Sequence, residues 1–177
     1  MLISSSRKPA PKTRSFCKNL GHTFGYEYVS RGKSSLRDLG LKSEDLGHKY
    51  VLLVYELEGN PSKLSFFTND GNEILSLKIT AKISNERLFI KPKELKFKFI
   101  LPGLEFLKTF FDFPLDSNIF SNSIEINESK NLDEIANISF INDKGEKSKF
   151  EITIRRILFI ADELKNRDEK MFEGKNG

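Results

Sequence analysis

The chain has 177 residues and a formal net charge of +4, with 38% apolar and 31% charged side chains, which suits one domain, or two small halves, around a core of useful size. Its one cysteine, Cys17, excludes an internal disulfide and fits a reducing compartment. No run approaches the roughly 20 apolar residues of a membrane helix, and the apolar start is too short for a signal peptide, so a cytoplasmic protein without membrane contact is expected.

Leu2 and Ile3 open the chain as a short strand, which Pro9 and Pro11 stop. Proline is tolerated at the first helical position, so a helix is predicted over 11–20, with Gly21 as its stop. Thr13, Phe16, Cys17 and Leu20 fall on one stripe at 3.6-residue spacing, and Phe24 extends it. A strand follows at 26–29, a turn at 31–35, and a helix at 36–46 interrupted by Gly40. The near-continuous apolar run KYVLLVYEL, 49–57, suits a strand covered on both faces. After the turn Gly59-Asn60-Pro61, strands at 64–68 and 74–79 flank the hairpin signal Asn69-Asp70-Gly71-Asn72.

The first half therefore reads β-α-β-α-β plus a hairpin, an α/β pattern with a mainly parallel sheet. In the second half, Leu95 to Phe99 alternates as a strand, Pro102-Gly103 breaks it, and 104–111 is a short helix. Strands are expected at 123–127, 138–141 and 150–160, the last two joined by a turn at 143–146. A charged terminal helix or tail is expected over 162–170, with Glu163 and Arg167 in the favourable i,i+4 order. The whole is one domain, 1–177, divided into halves 1–85 and 86–177. Sixteen Phe and no Trp leave the packing to Phe, Leu and Ile.

Charge is concentrated at the start. Residues 1–37 hold Arg7, Lys8, Lys12, Arg14, Lys18, Arg31, Lys33 and Arg37 against Glu27 alone, a net +7, which leaves −3 for the remainder. A basic segment on a mildly acidic body suits a polyanionic partner. If the first two strands are parallel neighbours, their exit loops share one sheet edge, where helix N-termini also favour phosphate. The eight cations are accordingly the candidate phosphate-contacting set of a nucleic-acid surface, with Ser4, Ser5, Ser6, Ser34 and Ser35 as small donors beside them.

Other motifs fail on spacing. Gly32-Lys33-Ser34 resembles the end of a P-loop, but Glu27 stands where that loop needs glycine. At least one of Tyr26 and Tyr28 suits core packing better than base stacking, since Glu27 lies where the RNA-stacking pattern has an apolar residue. His22 and His48 have no metal-ligand spacing, and Cys17 lies on an apolar stripe. The paired acids look like helix surfaces. No enzyme, metal or cofactor is expected.

Ile3-Ser-Ser-Ser-Arg7-Lys8-Pro9, Lys12-Thr13-Arg14-Ser-Phe16 and Arg31-Gly32-Lys33-Ser-Ser-Leu36, with Gly59-Asn60-Pro61 before an apolar strand, resemble the Brix-domain family of ribosome-biogenesis proteins, its short archaeal-type members above all. The resemblance implies two α+β halves, each similar to the anticodon-binding domain of class II aminoacyl-tRNA synthetases, and a non-catalytic role in pre-rRNA processing or subunit assembly. It implies ribosomal RNA or a pre-ribosomal particle as partner, with ribosomal or assembly proteins beside it, and puts Arg7, Lys8, Lys12, Arg14, Arg31, Lys33 and Arg37 on the RNA. The Gly-Pro-Thr-centred motif of larger members is absent. A tRNA-binding module and a protein-interaction scaffold are the alternatives.

Overall fold

A computed structural model describes residues 1–165. Its elements are β1 (Leu2–Ser5), α1 (Pro11–Phe24), β2 (Glu27–Tyr28), α2 (Leu36–Asp45), β3 (Tyr50–Leu57), β4 (Asn60–Thr68), β5 (Glu73–Lys82), β6 (Lys96–Ile100), β7 (Ser123–Glu128), β8 (Ala136–Ile141) and β9 (Lys147–Ile160), with 3-10 turns at Pro92–Glu94 and Glu105–Thr109. All nine strands form one sheet in the order β2-β1-β3-β4-β5-β9-β8-β7-β6. The expected pair of Glu163 with Arg167 and the rest of the helix at 162–170 lie outside the described residues, apart from a helical stretch at 162–165.

The β-α-β-α-β order of the first half is observed, but the expectation of a mainly parallel sheet is corrected. Parallel pairing joins β1 to β2, β1 to β3, and β6 to β7; the other five neighbouring pairs are antiparallel. The reason is the length of the connections. The parallel neighbours are joined through α1, α2 and the 101–122 segment, long enough for the crossover such a pair needs, whereas the short connections β3–β4, β4–β5, β7–β8 and β8–β9 give antiparallel neighbours. Strands β5 and β9, far apart in sequence, pair antiparallel where the halves meet. Read inward from β1 and from β6, strand direction repeats: one parallel step, then two antiparallel steps, meeting where β5 lies antiparallel to β9.

Two helix boundaries differ from expectation for one physical reason. Helix α1 runs through Gly21 to Phe24, and Gly25, at φ 71°, is its left-handed cap. Gly21 is there for close approach: a β-carbon would stand 2.8 Å from the Tyr26 carbonyl oxygen. Likewise α2 passes unbroken through Gly40, whose missing side chain makes room for the Asn69 backbone. The segment expected as a helix at 104–111 is instead a 3-10 turn, closed by Leu107 N–H to the Leu104 carbonyl and Phe110 N–H to the Leu107 carbonyl, both 3.1 Å.

The stripe read from sequence is the one that packs. Phe16, Cys17 and Leu20 are fully buried on one sheet face with Ile3, Leu52 and Val54, together with the Phe106, Phe110 and Phe111 side chains. Phe24 stacks on Phe111 at 4.6 Å between ring centroids, and the partly buried Tyr26 stacks on both rings and packs against the core. Each such side chain contributes about 2 kcal/mol by burial. On the other face a smaller cluster joins Leu39 of α2 to Leu2, Val51, Leu53 and Phe67. The two helices thus lie on opposite faces of the same three strands.

Candidate nucleic-acid interface

The parallel pairing of β1 with β2 sets Leu2 beside Glu27 and Ile3 beside Tyr28. It continues past the strands: Val29 donates its N–H to the Ile3 carbonyl at 2.9 Å, and Ser4 donates its hydroxyl to the Val29 carbonyl at 2.9 Å. The chain leaves β1 into Arg7-Lys8 and leaves β2 into Arg31-Gly32-Lys33 from adjacent positions. The first loop turns to the face carrying α1 and the second to the face carrying α2, so the cations straddle the sheet edge.

Arg7, Lys8, Lys12, Arg14, Lys33 and Arg37 are exposed, and Arg31 is half-buried. Arg14 donates to the Pro9 carbonyl at 2.9 Å, Lys12 to the Asn60 side-chain oxygen at 3.2 Å, and Arg31 Nε to the Ser34 carbonyl at 3.3 Å. These neutral partners hold the side chains in place and leave their charge uncompensated. Every ion pair among the described residues joins groups at or beyond Lys82. Lys18 is also exposed, but it sits seven residues along α1 from Pro11, about 10 Å down the axis, and the strand exits do not bring it to the other cations.

Helix termini were expected to add two anion sites, and here the structure divides them. The start of α1 has no side-chain cap, and Pro11 lacks an N–H, so the first-turn amides have no side-chain partner of their own; Thr13 is fully buried there. The start of α2 is filled by its own capping box: Asp38 accepts from the Ser35 amide at 2.7 Å and from the Ser35 hydroxyl at 2.8 Å, while the Asp38 amide donates to Ser35 at 3.1 Å. Those bonds, the backbone one first, hold the Asp38 carboxyl below its ordinary value. An anion near α2 would meet a carboxylate.

Three residues shape the edge that sequence reading left without a role. Glu56 accepts the Ala10 amide at 2.9 Å, pinning the β1 exit loop to β3 and placing a carboxylate under the cations. Asn60 holds Lys12. Tyr55 packs with Val29 and Leu36 against the Leu39 cluster; burial pushes its hydroxyl up, the Arg31 charge draws it down and Glu73 pushes it up again. Their only signal in the sequence is the polar end of an apolar strand. The Ser6 and Thr13 hydroxyl oxygens, at the β1 exit and in the first turn of α1, are buried without a partner among the described residues.

His22 and His48 lie apart: His22 is exposed on α1, and His48 bonds the terminal amine of Met1 at 3.0 Å through Nδ1. Cys17 is buried, and burial pushes its thiol up to about 12. No cluster of metal-binding side chains occurs among the described residues, and no helix there is long and apolar enough to cross a membrane.

A nine-stranded mixed sheet with its helices at one end, and basic loops at the parallel edge, defines an α/β protein whose fold matches two solved structures. Mil, an archaeal Imp4-like protein, superposes with a TM-score of 0.77 over 91% of this chain and 100% of its own, at 24% identity. A ribosomal biogenesis protein from Aeropyrum pernix gives 0.69 over 91% and 98%, at 19% identity. No family model matches the chain. A protein of Methanococcus maripaludis, named "Probable Brix domain-containing ribosomal biogenesis protein", is 35% identical over 114 residues, 63% of this chain and 66% of the relative. Its namesake in Methanothermobacter thermautotrophicus is 40% identical over 73 residues, 41% and 44% of the two chains. The matched stretches span from under half to about two thirds of these relatives' length. The chain belongs to the Brix-domain family of ribosomal biogenesis proteins.

Proposed function

We propose that this protein acts in ribosome assembly by binding ribosomal RNA through phosphates at the exits of β1 and β2, and that it performs no catalysis. The observation that carries this reading is the side-by-side placement of two basic loops whose cations pair with no carboxylate among the described residues. Arg7, Lys8, Arg31 and Lys33 form the centre of the surface; Lys12, Arg14 and Arg37 extend it, and Lys18 lies at its margin. Arginine gripping phosphate oxygens in bidentate fashion, with lysine as a mobile charge, positions a backbone without reading its bases. Residues 1–85 and 86–177 are read as two halves of one domain, in keeping with the repeated strand directions, with the basic loops confined to the first. A pre-ribosomal particle is the setting this implies.

Titration of the full chain with a structured ribosomal RNA fragment at several salt concentrations tests the proposal. Binding should weaken steeply with salt, log K falling by roughly 0.7 for each phosphate contacted on a single strand and somewhat more on a duplex. The Arg7→Glu/Arg31→Glu double variant should lose most of the affinity. A flat salt response, or a double variant that binds like the parent, defeats the reading. A clear preference for tRNA over ribosomal RNA in competition would move the function to the tRNA-binding alternative.

A further inference from the structure

Helix α2 covers the second sheet face only over β1, β3 and the end of β4, where Leu39 meets Leu2, Val51, Leu53 and Phe67. Beyond it, the same face of β4, β5, β9, β8 and β7 has no helix over it among the described residues. A sheet face open to water is polar as a matter of course, and Thr80, Asn137 and Thr153 line a shallow basin of about 700 Å³ there. One row on this face is not explained by solvation. Tyr55 stands opposite Lys63, Lys63 opposite Lys78, and Lys78 opposite Arg156.

Residues directly opposite on neighbouring strands project from one face with side chains in reach of each other, and like charges so placed repel. Here three cations do so in succession. The register that creates the row is an irregular one: Ile79 pairs with Ile154 but Lys78 pairs with Arg156, so a bulge at Arg155 brings Arg156 into line. Bulges re-aim side chains, and this one adds a charge to the row. Lys63, Lys78 and Arg156 form no ion pair among the described residues, whereas Lys82 and Lys147 share Glu151, and Lys98 takes Glu125, on the same side. Lys63 Nζ lies 4.5 Å from the centroid of the Tyr55 ring, and Phe159, opposite Ser76, is 44% exposed beside the row. Tyr55 packs with Val29 and Leu36, which flank the Arg31 loop, against the Leu39 cluster, and so joins the row to the face toward which that loop turns.

From the β2 exit to β9 there are five strand steps, about 24 Å. The geometry points to a single continuous track: RNA held at the strand exits passes over Arg31 and Tyr55 and lies across the uncovered sheet face, its phosphates on Lys63, Lys78 and Arg156 and a base against Tyr55 or Phe159. This rests on the RNA-binding reading above and extends it from an edge to a path. Repulsion within the row is what an anionic strand relieves, and rings beside cations, Phe159 exposed and Tyr55 half-buried, are what single-stranded nucleic acid stacks on.

The test uses the full chain, oligouridylates of graded length and a poly-glutamate peptide. The Lys63→Gln/Lys78→Gln/Arg156→Gln variant should bind short oligomers nearly as the parent does and long ones more weakly, with a salt slope shallower by about 2, three contacts at roughly 0.7 each. Lys78→Glu, which puts a carboxylate between two cations, should raise Tm while weakening binding of the long oligomer. A triple variant with unchanged affinity and slope, while Arg7→Glu/Arg31→Glu loses binding, overturns the track and leaves the strand-exit reading standing. Failure of the parent to bind any RNA at low salt overturns both. Loss of poly-glutamate binding alone assigns the row to an acidic protein partner and overturns the proposal, as does a fall in Tm for Lys78→Glu.

Discussion

The hydroxyl of Ser4 donates to the backbone carbonyl of Val29 at 2.9 Å, and this bond ties the exit of β1 to the exit of β2 across 25 positions of sequence. Ser4 is fully buried, and its removal would take from the half-buried Val29 carbonyl the hydroxyl that bonds it. Ser4→Ala should cost about 1–2 kcal/mol, read as a lower denaturant midpoint with an unchanged slope. RNA affinity should fall with it at the centre of the surface, because Arg31 and Lys33 lose the anchor that keeps their loop beside Arg7. A variant with parental stability would show that the bond is incidental.

Gly40 poses a contest of two effects. Alanine in a helix interior is better than glycine by about 0.5–1 kcal/mol. Against this, a β-carbon at residue 40 would run into the Asn69 backbone, and overpacking of a closed site costs about 1–3 kcal/mol. The clash is with main chain, which cannot rotate away, so Gly40→Ala should lower Tm. A rise in Tm would mean that α2 lifts from the sheet at little cost.

The Ser35–Asp38 box fixes the start of α2 beside Arg37. Ser35→Ala should destabilise by about 1 kcal/mol, measured by chemical denaturation. The carboxyl of Asp38 sits below its unfolded value because the Ser35 amide and hydroxyl bond its charged form. Its contribution is therefore present at neutral pH and is lost as pH falls through the folded value. The acid limb of the stability profile should be shallower in Asp38→Asn than in the parent.

How much of this was legible in the sequence depends on the range over which each feature is decided. The Phe16–Leu20 stripe is local, and it packs as read. The pairing of β1 with β2 follows from one β-α-β unit, so the strand exits that lead to Arg7 and Arg31 lie side by side as expected. Gly21 and Gly40 misled because glycine as punctuation and glycine as clearance look alike until the neighbour, Tyr26 or Asn69, is known. The junction of β5 with β9, and with it the row through Lys63, Lys78 and Arg156, depends on strands some 80 residues apart and on a bulge that no spacing announces. The same holds for Glu56, whose role lies in the backbone of a distant loop.

Cys17 should be chemically silent. Burial is the leading cause of its raised value, about 12 against an unfolded 9.0, with Glu56 adding to it and a backbone bond opposing. At pH 8 the folded thiolate fraction is on the order of one in ten thousand, so a thiol reagent should label only the opened protein. The folded value exceeds the unfolded one, so the unfolded state ionises first. Stability is unaffected below pH 9 and declines as pH rises from there toward 12. Rapid labelling of the native chain at pH 8 would contradict the packing of α1.

Glu56 sets a negative charge beneath a cationic surface, an arrangement that helps the loop and opposes an anionic ligand. Its carboxylate accepts the Ala10 amide, and glutamine can do the same through its side-chain carbonyl, so Glu56→Gln keeps the anchor and removes the charge. A unit charge some 8–10 Å from a phosphate, in a dielectric near that of water, contributes about 0.4–0.5 kcal/mol, so RNA affinity at low salt should rise on the order of twofold. The gain should fade at high salt, because the interaction is screened beyond about one Debye length. Glu56→Ala separates the two roles: it removes the charge and the acceptor together, and it should raise affinity less while lowering Tm. Unchanged binding in Glu56→Gln, with the salt slope intact, would mean that the ligand does not approach the β1 exit and that the cations there serve another surface.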